Sequence, residues 1–308
     1  MSRAPVAIFV VAHAGLAAIF ALGALPSLRI IGLGILASLT GTGALIGMND
    51  LWDVELDKRK IAYADDRQTL DLGSTFIHHP IARGTISMAT GVIWVGLLSI
   101  ASLALMEAIR PGLWPILMVI AVLVTLYSKL GPITYWKFLT VAAAVTLGAV
   151  AGWLAVAPGS LASFSGWVTV IRSGGLTLAL FSAWSFAWEI GGRNIPNDFN
   201  DVEEDRPLGT KTIPSVLGER LASRVVLVML LATTVLSVML VWSARWASSP
   251  QLVAVLAGVA VLDVYMLLLP ALGLAKEPTV PASVRLYNRS ALYPLALLAV
   301  LMLSLLIR

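Results

Sequence analysis

The chain is expected to be all-α: a polytopic membrane bundle of about nine transmembrane helices, one domain over 1–308, built as two parallel repeats. Three observations predict this. Apolar residues make up 58% of the sequence and charged residues 12%, with a mean hydropathy of +0.89, against roughly 25% charged in an ordinary soluble domain. Long apolar runs recur along its whole length. And one acidic nonapeptide occurs twice, at residues 49–57 and 197–205.

In order, the runs cover roughly 5–24, 30–48, 85–109, 113–127, 138–157, 175–195, 221–242, 250–274 and 290–307. Each is a near-continuous apolar block rather than an alternating piece of about ten residues, so helices are expected and not barrel strands. The first run is longer than the apolar stretch of a typical signal peptide and is expected to be a retained helix. The absence of cysteine excludes disulfides, thiolate metal sites and cysteine nucleophiles.

With this spacing, residues 1–4, 51–84, 128–137, 196–220 and 275–289 share one face. That face, with the adjoining helix ends, carries 16 of the 21 Lys and Arg, so the positive-inside rule makes it cytoplasmic. The net charge of +4 is orientation signal, and no nucleic-acid partner is expected. Acidic residues cluster on the same face: of 17 Asp and Glu, seven lie between Asp50 and Asp71 and six between Asp198 and Glu219.

The two nonapeptides, "NDLWDVELD" and "NDFNDVEED", agree at six positions 148 residues apart, and each ends an even-numbered apolar run. They place the repeat halves at about 1–137 and 138–308, with motif loops 49–84 and 197–220. If the second helix continues through its cassette, Asn49, Asp53 and Asp57 line one face at i, i+4, i+8; Asn197, Asp201 and Asp205 repeat the spacing, with Asp198 nearby. Like charges so placed repel and call for a cation. Oxygen ligands without His or Cys favour Mg²⁺, with Mn²⁺ also suitable. Two such columns facing each other fit a pair of metals clamping a diphosphate. Basic residues stand near it: Lys58, Arg59 and Lys60, Arg67 in the following loop, and Arg206 and Lys211.

At these residues the sequence resembles the UbiA superfamily of intramembrane prenyltransferases. The NDxxDxxxD signature corresponds to Asn49, Asp50, Asp53 and Asp57, and DxxDxxxD to Asp198, Asp201 and Asp205; "HPIARGTIS" and "GTKTIPSVLG" resemble the stretches that follow. The resemblance implies Mg²⁺ held by Asn49, Asp53, Asp57, Asp198, Asp201 and Asp205, and a prenyl diphosphate that ionises to an allylic cation. A lipophilic or aromatic acceptor then captures it. It also implies a catalytic tyrosine and lysine between helices four and five, matched by Tyr127 and by Lys129, with Lys137 the alternative. His79, where the family usually has Arg, is a departure.

Three other ionisable residues in apolar runs, His13, Glu189 and Asp263, are candidates for acceptor chemistry or for packing. A lone His among small residues reads first as a packing residue, and Glu189 also pairs naturally with Arg193 at i+4. Arg289 reads first as a span-flanking charge. Behind the prenyltransferase stand a membrane terpene cyclase, in which the cation is captured by its own chain, and then a divalent-cation transporter.

Overall fold

A computed structural model describes residues 4–64, 79–244 and 249–306. The described chain is helical. Its helices are α1 (Ala4–Leu22), α2 (Leu28–Trp52), α3 (Val54–Ala64), α4 (Met88–Ile109), α5 (Pro115–Leu130), α6 (Phe138–Val156) and α7 (Phe164–Trp188). There follow short α8 (Ile195–Asn200), α9 (Val202–Leu208) and α10 (Ile213–Leu217), then α11 (Glu219–Ser243), α12 (Ser249–Leu262), α13 (Leu269–Lys276) and α14 (Val280–Leu306). Two π-helical turns, Glu189–Asn194 and Asp263–Leu268, join α7 to α8 and α12 to α13.

Among the described residues, seven helical segments are long and apolar enough to cross a bilayer, and two shorter apolar helices, Ile8–Leu22 and Pro115–Leu130, accompany them. Their outer faces keep large apolar side chains exposed, such as Ile93, Leu97 and Ile100 on α4, as a lipid-facing surface requires. The chain is an integral multi-pass membrane protein.

Helix ends follow local chemistry. Ser27, Ser87 and Ser163 cap α2, α4 and α7 with their hydroxyls, and Thr212 forms a capping box with Ser215. Gly209, at φ 74°, ends α9 in the left-handed region that a side chain disfavours. At the end of the bundle away from the cassettes, the Arg110 guanidinium donates to the carbonyls of Leu154, Ala157 (2.6 Å) and Gly159 (2.8 Å), satisfying carbonyls that α6 leaves open.

Packing is tightest where small residues meet. A Cβ on Gly152 of α6 would lie 2.1 Å from the Ala14 carbonyl oxygen of α1, so these two backbones touch. Trp184 and Trp188 of α7 are fully buried, and the His13 ring of α1 lies against both, at 5.3 and 4.4 Å between centroids. His13 Nδ1 bonds the Phe9 carbonyl at 3.1 Å, which gives it a packing role. Asp263 is also structural: fully buried, it accepts hydrogen bonds from Ser237 (2.6 Å) and Tyr293 (2.5 Å) and so ties the second π turn to α11 and α14.

Candidate active site

Neither cassette is one continuous helix. Each breaks at its middle aspartate. Asp53 separates α2 from α3 at φ −101°, ψ 9°, and Asp201 separates α8 from α9 at φ −99°, ψ 0°. Both lie in the sparsely populated bridge region where helices turn and many active-site residues sit.

The break regroups the first cassette. Asn49 donates to Asp53 Oδ2 at 2.9 Å and accepts from Ser128 at 3.3 Å, while α3 carries Asp57 back towards Asp50. Both of these carboxylates are 4% exposed. His79, entering from the chain that precedes α4, places Nδ1 2.6 Å from Asp57 and 3.7 Å from Asp50. One ligand atom from each of Asp50, Asp57 and His79 falls within 4.8 Å of the others, a convergence suited to one cation. His79 adopts φ 54°, a conformation rarely taken by a non-glycine residue. Burial, then the neighbouring Asp57, pushes the Asp53 carboxyl above its ordinary range, with Ser128, Lys137 and Asn49 opposing.

In the second cassette Asp198 and Asp205 are buried and Asp201 is partly exposed. Lys60 of α3 crosses to it, its Nζ 3.0 Å from Asp205 Oδ1 and 3.7 Å from Asp201 Oδ2. The helix that completes the first cassette is therefore tied to the second cassette by an ion pair. Burial pulls the Lys60 ammonium down, but Asp201 and Asp205 outweigh it and hold the group above the ordinary lysine range. Burial likewise pushes Asp205 up against the pull of Lys60. Lys137, only 7% exposed, sets its ammonium 4.7 Å from the centre of the Tyr127 ring. Lys129 lies instead over Trp52, at 4.7 Å.

The remaining basic candidates sit further out. Lys58 pairs with Glu55 at 2.8 Å on an exposed face, and Arg59 is exposed too. Arg206 pairs with Glu219 at 2.8 Å. Lys211 donates to the Ile133 carbonyl at 3.0 Å and bonds Gly131 through its backbone, bracing the α5–α6 turn. Arg289 lies over Tyr265 at 4.6 Å as a flanking charge. Arg67 lies outside the described residues. The contacts of His79 and Lys60 were the least visible in the sequence: His79 read as a departure, and nothing distinguished Lys60 from its two neighbours.

Between the cassettes and α7 lies a polar chamber of about 290 Å³, walled on one side by Asn49, Asp50 and Tyr127 and on the other by Glu189, Arg193 and Asn197. The π turn supplies the second wall, an extra residue per turn re-aiming side chains as such turns do at functional sites. The Arg193 guanidinium is framed by Phe9, Tyr287 and Trp188, at 5.2, 5.3 and 5.8 Å, and its Nε is 3.9 Å from Glu189. Below the chamber, sharing Leu45 with it, an apolar cavity of about 310 Å³ runs among α1, α2, α4, α5 and α6, with no ionisable side chain in its lining.

Two broken acidic helices thus stand beside one polar chamber within a membrane bundle, and an apolar cavity adjoins that chamber at Leu45. The sequence profile of the UbiA prenyltransferase family matches residues 8–272, and the chain belongs to that family. It is thus a membrane prenyltransferase. No curated protein sequence gives a significant match. The fold is similar to the apo structure of a UbiA homolog from Aeropyrum pernix K1, with TM-score 0.69 and 17% identity over 98% of this chain and 97% of that one. It is also similar to a digeranylgeranylglyceryl phosphate synthase, with TM-score 0.64 and 15% identity over the full length of both. A UbiA homolog from Archaeoglobus fulgidus bound to DMAPP and Mg²⁺ matches with TM-score 0.60 and 17% identity over 98% and 99%.

Proposed function

We propose that this chain uses Mg²⁺, or Mn²⁺ in its place, to move a prenyl group from a prenyl diphosphate to a lipophilic or aromatic acceptor. One observation carries the reading: Lys60, on the helix that completes the first cassette, pairs with Asp201 and Asp205 of the second, so two acidic motifs 148 residues apart in sequence are held side by side. Similar solved structures include UbiA homologs bound to DMAPP and Mg²⁺ and to GPP and Mg²⁺, ligands whose chemistry suits such a site. The donor set fits the metal, because Asp50, Asp57 and His79 bring three ligand atoms together, Asn49 and Asp50 line the chamber, and Asp53, Asp198, Asp201 and Asp205 offer further carboxylate oxygens in the two cassettes.

When bound, the metal neutralises the leaving diphosphate and lowers the barrier to carbon–oxygen cleavage. The chain's own groups do the rest. Lys60 and Lys137 offer ammonium charge to the same leaving group. The apolar cavity takes the tail and keeps water from the allylic cation. The Tyr127 and Tyr287 rings on the chamber wall hold the Lys137 and Arg193 cations beside it. The carbon–oxygen bond breaks first, diphosphate leaving with the electron pair; the acceptor then bonds the allylic carbon from the Glu189–Arg193 side and loses its proton, for which Glu189 is the carboxylate on that wall.

We further read the two shorter apolar helices as crossing the bilayer, for a total of about nine spans, and the chain as two parallel repeats, supported by the matching breaks at Asp53 and Asp201. By the distribution of Lys and Arg, both motif loops face the cytoplasm.

The test is diphosphate release from purified protein in detergent with Mg²⁺ and a series of prenyl diphosphates, with and without candidate acceptors, followed by mass spectrometry. Release that requires acceptor and yields its mass plus a prenyl group is expected. Release without acceptor, giving a hydrocarbon or terpene alcohol, would overturn transfer in favour of a cyclase or lyase. Metal flux in sealed vesicles without prenyl substrate would support transport.

A further inference from the structure

The two π turns of this chain are built alike. Glu189 opens the first and Pro196 follows seven residues later; Asp263 opens the second and Pro270 follows at the same distance. In both, the residue after the turn donates its N–H five residues back, Ile195 to Ile190 and Leu269 to Val264. Proline has no N–H, so each turn loses a backbone donor. An α-helical bond to the Gly192 carbonyl would have to come from residue 196, and a π-helical bond to the Tyr265 carbonyl from residue 270. One helix supplies both replacements: in α14 the Ser290 hydroxyl donates to the Gly192 carbonyl, and Arg289 donates to the Tyr265 carbonyl at 3.3 Å. We propose that Ser290 is a positioning residue for prenyl transfer: by holding the Gly192 carbonyl in place of the bond that proline withholds, it sets the register at which Glu189 and Arg193 meet the acceptor. The inference rests on the reading of the Glu189–Arg193 wall as the acceptor side and names what holds that wall.

Packing on the first turn points the same way. An added Cβ would lie 2.7 Å from Met229 of α11 at Gly191 and 3.1 Å from the Ser290 Cβ at Gly192, so bare backbone faces both helices while Glu189, Arg193 and Asn194 line the chamber. α14 grips the turn at three places. Besides the Ser290 hydroxyl, the Ser290 carbonyl accepts from Trp188 Nε1 at 3.0 Å, and the Tyr287 hydroxyl, one helical turn away, accepts from Arg193 at 3.3 Å. Ser290 is fully buried, and although its hydroxyl also lies 3.1 Å from the Tyr287 carbonyl, its one proton serves the nearer Gly192. A buried carbonyl without a donor is costly in an apolar bundle, so loss of this hydroxyl favours any register that recovers one. A slip of one residue rotates a helical side chain by about 100°, enough to carry Arg193 off the wall. The second turn shows the same construction where no chamber is served: its carboxylate, Asp263, is taken up by Ser237 and Tyr293.

The experiment uses full-length protein in detergent with Mg²⁺ and geranyl diphosphate as the donor probe. The acceptor probe is whichever of a phenol, a naphthol and a long-chain alcohol gives the wild type most acceptor-dependent diphosphate release. Ser290→Ala should raise the KM of that acceptor about fivefold, with the geranyl diphosphate KM within about twofold of wild type. Ser290→Cys, which keeps the volume and a weak donor, should fall between, and it carries the comparison if the alanine variant fails to fold. Ser283→Ala is the control: it removes a buried hydroxyl of the same helix that donates to the Pro196 carbonyl at 2.7 Å, and should lower the melting temperature comparably without shifting the acceptor KM. In an Arg193→Gln background, Ser290→Ala should raise the acceptor KM no further, because the two residues act through one wall. A lowered melting temperature with both KM values unchanged would make Ser290 merely structural and overturn the inference. An equal acceptor shift in Ser283→Ala, or a fully additive double variant, would overturn it too. Wild-type release that needs no acceptor, or no release at all, would overturn the transfer reading first and this inference with it.

Discussion

Asp53 and Asp201 occupy the same place in two cassettes 148 residues apart, and their backbones agree within ten degrees, φ −101°, ψ 9° against φ −99°, ψ 0°. Each ends one helix and starts the next. The carboxylates that precede and follow them are thereby taken off a single helix face, and in the first cassette Asp50 and Asp57 converge with His79. Asp53→Ala and Asp201→Ala are each expected to lower kcat by about 100-fold or more, with melting temperatures shifted by only a few degrees. Full turnover in both variants would remove the cassettes from the chemistry.

The two lysines of the α5–α6 region are expected to separate cleanly. Lys137 is buried against Tyr127 beside the second cassette, whereas Lys129 covers the exposed Trp52 ring. Lys137→Ala should cost at least ten times more in kcat/KM for the prenyl diphosphate than Lys129→Ala. The latter loses about 0.5–1 kcal/mol of surface cation–π contact. Steady-state kinetics on both variants is the check, and equal losses would contradict the placement.

Acidity should act on the metal-free and metal-loaded protein in opposite ways. Burial holds Asp53 and Asp205 above the usual carboxylate range in the folded chain, so the folded state binds more protons than the unfolded one between the two values. Their contribution to metal-free stability therefore falls as pH rises through that window. Lys60, raised by its partners, keeps its contribution below the unfolded lysine value and is lost only in strong alkali, so it is flat near neutrality. Metal competes with those carboxylate protons. The gain in melting temperature on adding Mg²⁺ should thus shrink as the medium is made more acidic; a gain independent of pH would argue against ligation by these groups.

Arg193, framed by three rings and close to Glu189, stands on the chamber wall opposite Asn49 and Tyr127. Arg193→Gln should raise the acceptor KM by about tenfold, equivalent to roughly 1.4 kcal/mol, with a smaller effect on the KM of the prenyl diphosphate. The reverse ordering would move the acceptor elsewhere.

One prediction concerns the fold alone. Because a Cβ at position 152 would press on the Ala14 carbonyl at 2.1 Å, Gly152→Ala should destabilise by about 1–3 kcal/mol through forced separation of α1 and α6. Thermal unfolding in detergent measures it, and an unchanged melting temperature would show that the contact is soft.

Much of this was legible before any coordinates. Apolar runs and a repeated cassette are composition and pattern, and both survive folding because lipid solvent and metal chemistry act on residue type. What stayed hidden depends on helix phase. Lys58, Arg59 and Lys60 are consecutive and equally charged, and only the restart of helix at Val54 decides that Lys60 meets α9 while Lys58 turns to Glu55. The same restart joins Asp50 to Asp57, which a continuous helix would have kept apart. The π turn at Glu189–Asn194 has no sequence signature of its own, and His79 reaches the carboxylates by a positive φ that its residue type gives no reason to expect.

The apolar cavity has a measurable depth. It is lined along α2 from Ile30 to Leu45, about 22 Å at 1.5 Å per residue, and Leu45 is also a wall of the polar chamber. A cavity of fixed length acts as a gauge for a tail laid along it: shorter chains leave apolar wall uncovered, and longer ones must bend or project into lipid. Gly41, whose added Cβ would meet the Ser102 hydroxyl at 2.9 Å, stands partway down that gauge. On the proposed reading, the small residues of the second helix, far from any charge, set how much apolar chain this cavity can take up.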